Sequence, residues 1–344
     1  MAVLPPDPVF SLRCPEMGAV SSLCFHESER LLAGTQKGKV FLWDLQVSDK
    51  NNNNNHNNNK SILFGWQTNR SPLHFEVGSE PITNLHHTKE NLVTQEKGGT
   101  ITTYSINNSS YVKERSIPGN HLGYCRTALH INPNNTNEQL LFYPCEETAI
   151  GVLHVTDPAA PTQMLLPDDP QLPKLGAVTC FKPFESASQL FLLAGYESGH
   201  FLTWDLSSGV MIDIVDLAAE AVTVDYDAIT NRGIVGAAND KLTTFSYQRQ
   251  SMQLQRGSEL CIKNPGVNCV RIRADQKVFA SGGWDGRIRI FSWKSLRPLA
   301  VLTQHKQGGV MDIAYSPQPV SMWRAPIMAA AGMDGQISLW DLYN

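Results

Sequence analysis

Residues 193 to 205 read Leu193-Ala-Gly-Tyr-Glu-Ser-Gly-His-Phe-Leu-Thr-Trp204-Asp205. An apolar run is followed by a turn bracketed by two glycines and then by a second run that ends on an aromatic residue. A period of two sends successive side chains to opposite faces of an extended strand. A glycine inside a short turn supplies positive φ where a Cβ would be costly. The stretch is therefore a β-hairpin. The same grammar recurs at residues 32–44, 280–291 and 330–341, and in weaker form at 93–104 and 235–245.

Six hairpins spread along one chain suggest a repeat architecture, in which each unit buries its faces against its neighbours. Tyr104 and Trp204 stand 100 positions apart, about twice the ~40–45 residues of one four-stranded blade, so a seventh unit belongs between them. Leu140-Leu-Phe-Tyr143 and Ile150-Gly-Val-Leu-His-Val155 supply its strands. A short strand precedes each hairpin, as in Ala19-Val-Ser-Ser-Leu-Cys-Phe25, Ala221-Val-Thr-Val-Asp225 and Gly309-Val-Met-Asp-Ile313. A fourth follows the terminal aromatic, as in Pro298-Leu-Ala-Val-Leu302.

With Trp-Asp dipeptides at Trp43-Asp44, Trp204-Asp205 and Trp340-Asp341, the chain resembles the WD40 family over nearly its whole length. The resemblance implies an all-β, seven-bladed β-propeller occupying residues 1–344 as one domain. The family often ties a blade with a hydrogen-bonded set of His, Ser or Thr, Asp and Trp. Here that set reads as nowhere complete. The last blade has His305, Asp334 and Trp340 but Ala330 at the hydroxyl position, and the sixth has Ser281 and Asp285 but Phe291. The last blade also lacks a fourth strand after Trp340, and an unpaired edge invites aggregation. Pro8-Val-Phe-Ser-Leu-Arg13 has the pattern of an outer strand and is expected to latch the ring by completing that blade. Residues 48–71, dominated by asparagine, fall between the third and fourth strands of blade one and read as a disordered loop, since they cannot bury enough apolar surface to offset their ordering.

Hydrophobic residues make up 42% and charged residues 17% of the chain, enough apolar surface for a large core. A net charge of −4 leaves no basic surplus to neutralise phosphates, which argues against a nucleic-acid partner. Seven cysteines without a C-x-x-C pair indicate neither a zinc ribbon nor a disulfide framework and fit an intracellular chain with reduced thiols. Residues 1–7 lack the charged start and long apolar stretch of a signal peptide and no apolar stretch reaches membrane-spanning length, so secretion and membrane insertion are not expected.

Motifs that carry chemistry are missing. There is no phosphate-cradling glycine loop, no H-E-x-x-H and no G-x-S-x-G elbow. His86 and His87 are adjacent on a strand, point to opposite faces and cannot ligate one metal together. The reading is no enzyme, no cofactor and no metal. A propeller instead offers its loop faces and channel to other proteins. In WD40 terms the exposed turn position is Gln36, Lys97, Glu197, Ala238, Trp284 and Met333, and the matching first-strand position is Ser21, Thr83, Thr179, Thr223, Asn268 and Met311. Trp284, Met311 and Met333 are expected to form an apolar partner-binding patch, with Asn268 and Arg287 as polar neighbours.

Within the WD40 group the chain resembles the family of guanine nucleotide-binding protein subunit beta-like proteins and their fungal ASTRA-associated relatives. That likeness rests on Pro5-Pro-Asp-Pro8, Leu193-Ala-Gly-Tyr-Glu197, Gly283-Trp-Asp-Gly-Arg-Ile-Arg-Ile-Phe291, Leu299-Ala-Val-Leu302 and Ile337-Ser-Leu-Trp340. It implies a non-catalytic adaptor in cytoplasm and nucleus, monomeric outside complexes. Its role would be to assist co-chaperone-dependent maturation of PI3-kinase-like kinases and so support DNA-damage signalling. A G-protein β-like signalling subunit is the alternative, but residues 1–18 show no heptads with which to grip a γ subunit. A substrate receptor or histone-tail reader is a third reading. Its arginines, Arg271, Arg273, Arg287 and Arg289, read as clustered in blade six and not around the channel.

Overall fold

A computed structural model of the chain describes residues 6–46, 72–107, 110–121 and 123–342. Among these residues, 28 strands form seven four-stranded antiparallel sheets. From the channel outward, blade one is Val20–His26, Arg30–Thr35, Lys39–Asp44 and Leu73–Glu76, and blade two is Ile82–His87, Asn91–Glu96, Ile101–Asn107 and Ser110–Ile117. Blade three is Ala128–Asn132, Asn135–Pro144, Ile150–His154 and Gln163–Leu165, and blade four is Val178–Ser186, Gln189–Tyr196, His200–Asp205 and Val210–Asp216. Blade five is Ala221–Asp227, Arg232–Ala237, Lys241–Gln248 and Gln253–Cys261, and blade six is Val267–Ile272, Val278–Gly283, Ile288–Ser292 and Pro298–Leu302.

Blade seven is composite. Val310–Tyr315, Met328–Gly332 and Gln336–Trp340 come from one end of the chain, and Phe10–Arg13 from the other. The latch strand takes the expected outer place, pairing Phe10 with Leu339 and Leu12 with Ile337. Leu12 is buried with Val320, Ile327 and Ile337 of blade seven and with Leu31, Phe41 and Trp43 of blade one, so the closing strand is also sealed by apolar packing. A second clasp crosses the same seam. The loop after Tyr315 lays the Gln318 N–H on Ser28 Oγ (2.8 Å) and the Ser321 N–H on Glu29 Oε1 (3.0 Å).

The two glycines of each hairpin do different jobs. Gly286 and Gly335 sit in turns at φ +73°, a conformation that L side chains rarely adopt. Gly282 needs empty space instead, because a Cβ there would come within 2.7 Å of Cys269 Sγ and of Val310 Cγ1 in the next blade. Neighbouring blades pack face to face, as where Ile290 and Leu302 of blade six meet Ile313, Met328 and Trp340 of blade seven.

The structure corrects the reading of blade seven. Its hydrogen-bonded set is complete, because Ser338 supplies the hydroxyl that Ala330 lacks. The His305 ring nitrogens lie 3.0 Å from Asp334 Oδ1 and 2.9 Å from Ser338 Oγ, and the Trp340 indole N–H donates to Ser338 Oγ at 2.8 Å. Ala330 and Ser338 are directly paired across the sheet, so the hydroxyl has moved one strand over while staying on the same face. In blade six, Asp285 takes Arg289 in place of the histidine and serine, through Arg289 Nη2 at 2.6 Å. Trp43, Trp204 and Trp340 are buried, whereas Asp44 and Asp341 are exposed and Asp205 is half-buried. Asp205 closes the next turn by accepting from Ser207 N–H (2.9 Å) and Ser208 Oγ (3.0 Å). The asparagine tract at 48–71 lies outside the described residues.

Candidate functional site

The first strands of all seven blades line one cavity of about 1300 Å³ that runs along the central channel. At one mouth meet the loops entering these strands and the turns between second and third strands. Of the expected patch, Trp284, Met311, Met333 and Asn268 line this mouth together. The Trp284 indole N–H donates to Asn268 Oδ1 at 2.7 Å, and Asn268 Nδ2 donates to Val310 O at 2.9 Å and approaches Met311 Sδ at 3.6 Å. This chain of bonds holds the ring of a side chain that remains 50% exposed. Glycine makes the approach possible. A Cβ on Gly266 would collide with the Trp284 ring at 2.2 Å, and Cβ atoms on Gly308 and Gly309 would press on Met333 (2.7 Å) and on Trp284 Cα (3.2 Å). Tyr124, on the approach to blade three, is a further exposed aromatic lining the cavity.

Arg287 does not belong to this patch. Its guanidinium turns to Asp285 Oδ2 at 3.1 Å and does not line the cavity. Burial pushes the Asp285 carboxyl up, but donors from Arg289, Asn264 and the Arg287 N–H together outweigh it and hold the group at about 2.

The view that arginines gather in blade six alone also fails. Arg126, at the entry to blade three, reaches across the channel and donates through Nη2 to Ser21 O and Met311 O, both at 2.8 Å. Its Nη1 lies 2.8 Å from Asp312 Oδ1, an ion contact without hydrogen-bond alignment. Arg271 of blade six reaches the same oxygen at 3.2 Å. Arg273 and Arg289, by contrast, are buried away from the lumen on Asp275 and Asp285. On the other side, Lys182 Nζ meets Asp225 Oδ1 at 2.6 Å. Both aspartates are also stitched to the next blade, Asp225 accepting the Ile272 N–H (2.7 Å) and Asp312 the Leu23 N–H (2.9 Å). The recurrence of Asp in the first strands of blades five and seven, Val-Thr-Val-Asp225 and Val-Met-Asp312, was the sequence signal for this network. Nothing marked Arg126, because the strand it introduces, Ala128–Asn132, lacks the pattern of the others.

His86 and His87 point apart as expected. His86 Nε2 lies 3.0 Å from Thr127 Oγ1, and burial, with Arg271 adding to it, pushes its pKa down to about 4. His87 packs its ring 4.0 Å from that of His26. No group of three His, Cys, Asp or Glu side chains among the described residues could hold a metal ion. All seven cysteines are free, and no described helix is long and apolar enough to cross a membrane.

The WD domain, G-beta repeat family matches residues 6–44, 258–292 and 296–341. Guanine nucleotide-binding protein subunit beta-like protein 1 of Mus musculus is 27% identical over 351 residues, covering 98% of this chain and 97% of that protein. ASTRA-associated protein 1 of Schizosaccharomyces japonicus is 27% identical over 376 residues, with 98% and 99% covered. Among solved structures, the Cps50 (Swd1) β-propeller domain of Myceliophteria thermophila superposes with a TM-score of 0.71 at 16% identity, covering 98% of this chain and 99% of that one. Seven antiparallel blades closed by a latch strand make the chain a seven-bladed β-propeller, with matches to the WD repeat model at both ends and similarity along nearly all its length to these beta-like and ASTRA-associated relatives.

Proposed function

We propose that this protein is a non-catalytic adaptor of an ASTRA-type assembly, working in cytoplasm and nucleus to help co-chaperones mature and stabilise PI3-kinase-like kinases. The observation that carries this reading is the end-to-end similarity to ASTRA-associated proteins, 98% of this chain against 99% of the Schizosaccharomyces japonicus protein. The channel mouth with Trp284, Met311 and Met333 is the docking face. It offers what interface centres use, a half-exposed aromatic held rigid by hydrogen bonds beside adaptable thioethers. A G-protein β-like role has less support, since the described residues ahead of blade one form the strand Phe10–Arg13 and no helix for a γ subunit. The test is affinity purification of the tagged protein from cells, followed by mass spectrometry. Co-chaperone subunits and large kinases are expected with the wild type and lost with Trp284→Ala, while thermal unfolding of the variant stays unchanged. Recovery of histones or ubiquitin-ligase subunits instead would overturn the adaptor role.

A further inference from the structure

The charges of the channel are arranged so that one sign is covered and the other is offered. Asp312 and Asp225 are the buried partners, with side chains 2% and 9% exposed, and their oxygens are occupied by backbone N–H groups and by cations. The cations facing them keep part of their surface open to the lumen. Arg126 is 22%, Arg271 34% and Lys182 33% exposed. Three positive groups share two carboxylates, so one positive charge in this cluster is left uncompensated in a protein whose net charge is −4. Lys97 and Glu197 also line the cavity and add one charge of each sign. His86, neutral at physiological pH, contributes no further charge.

We infer that the channel is a receptor for one carboxylate side chain carried on an extended segment of a partner protein, the acid seated between Arg126, Arg271 and Lys182 and its apolar neighbours resting on Trp284 and Met333. The inference rests on the channel mouth being the docking face and adds the chemistry of what enters it. A carboxylate matches the single surplus charge. A phosphate dianion would bring a second negative charge toward Asp312 and Asp225 with nothing to balance it. Guanidinium N–H groups favour a carboxylate because both are planar and can pair through two parallel bonds. The channel walls shield these partly buried groups from some of the solvent, so the pairing is screened less here than on an open surface.

The probe is a set of fluorescent nonapeptide pools with randomised flanks and a fixed central Glu, Gln, Lys or phosphoserine, titrated against the full chain at low and high salt. The Glu pool is expected to bind about tenfold more tightly than the Gln pool, the size of one charge-assisted hydrogen bond, and to weaken as salt rises. Arg271→Gln abolishes the Glu preference. Lys182→Gln reduces it, and guards against a folding defect in the first variant, since thermal unfolding is recorded for both. Equal binding of the Glu and Gln pools, a stronger phosphoserine pool, or an intact preference in a folded Arg271→Gln protein overturns the inference. Failure here leaves a separate signature from failure of the adaptor role. If Trp284→Ala loses the cellular partners while Arg271→Gln keeps them, the docking face stands and the carboxylate site falls. If peptide binding depends on Arg271 but no co-chaperone or kinase is purified, the reverse holds.

Discussion

Ser338 shows how one hydroxyl can stand in for another across a strand pair. It is fully buried and serves two donors or acceptors at once, His305 and Trp340. Removing it strands two buried ring nitrogens, so Ser338→Ala is expected to cost about 2 kcal/mol in urea unfolding. Because Ala330 faces Ser338 in register, the double change Ala330→Ser with Ser338→Ala should recover part of that loss. A failure of the rescue would mean that the strand, and not the face, decides the geometry. Titrating residues give two separable acid effects. His86 lies at about 4, below its ordinary 6.5, so its contribution to stability is complete above pH 6.5 and is lost as pH falls toward 4. Asp285 lies at about 2, below its ordinary 3.8, so its contribution is complete above pH 3.8 and is lost as pH falls from there toward 2. Urea midpoints measured against pH should fall through both ranges, and His86→Gln should shrink the first, to which the likewise depressed His87 also contributes, and leave the second unchanged.

At the level of elements, the latch strand decides whether the ring closes. Four residues, Phe10–Arg13, cover the edge of Gln336–Trp340 and carry Leu12 into the core between blades seven and one. Leu12→Ala should cost about 2–5 kcal/mol, the usual range for emptying a buried leucine site. Deleting residues 1–14 removes the whole strand, and both a lower melting temperature and self-association through the bared edge are expected in calorimetry and size-exclusion chromatography. A monomeric truncation as stable as the full chain would show that the clasp from Gln318 and Ser321 to blade one suffices by itself. The latch was legible because an outer strand has a recognisable apolar spacing and because a ring of hairpins leaves one edge open. The first strand of blade three was not legible, since Ala-Leu-His-Ile-Asn132 alternates weakly and four of its five residues line the channel.

Over the whole molecule, the channel network does what no single blade can. Asp312 gathers a backbone N–H from blade one and guanidinium groups from blades three and six. Asp312→Ala would leave those charges facing a vacated site, and a loss of about 3–5 kcal/mol is expected in denaturant unfolding, as for other buried pairs broken on one side. Asp312→Asn, which keeps an acceptor for the Leu23 N–H, should cost less. The latch and the grouping of Trp284 with Met311 and Met333 were legible through the likeness to a WD40 ring, whereas what the amino-acid order determined unaided is written in short range: six hairpins, their turn glycines and the opposed histidines. Those features depend on strand periodicity and on residues a few positions apart, which local sterics and apolar patterning set directly. What the tertiary structure alone decided is which distant groups share a channel. Arg126 and Asp312 are joined only because closing the ring brings blades three and seven to opposite walls of one narrow lumen, and no local pattern records that distance. The hydroxyl at Ser338 and the turn of Arg287 to Asp285 are contacts within one blade, across a strand pair and over two residues, and they escaped the reading because side chains answer to the nearest partner in space and not to the family position they occupy.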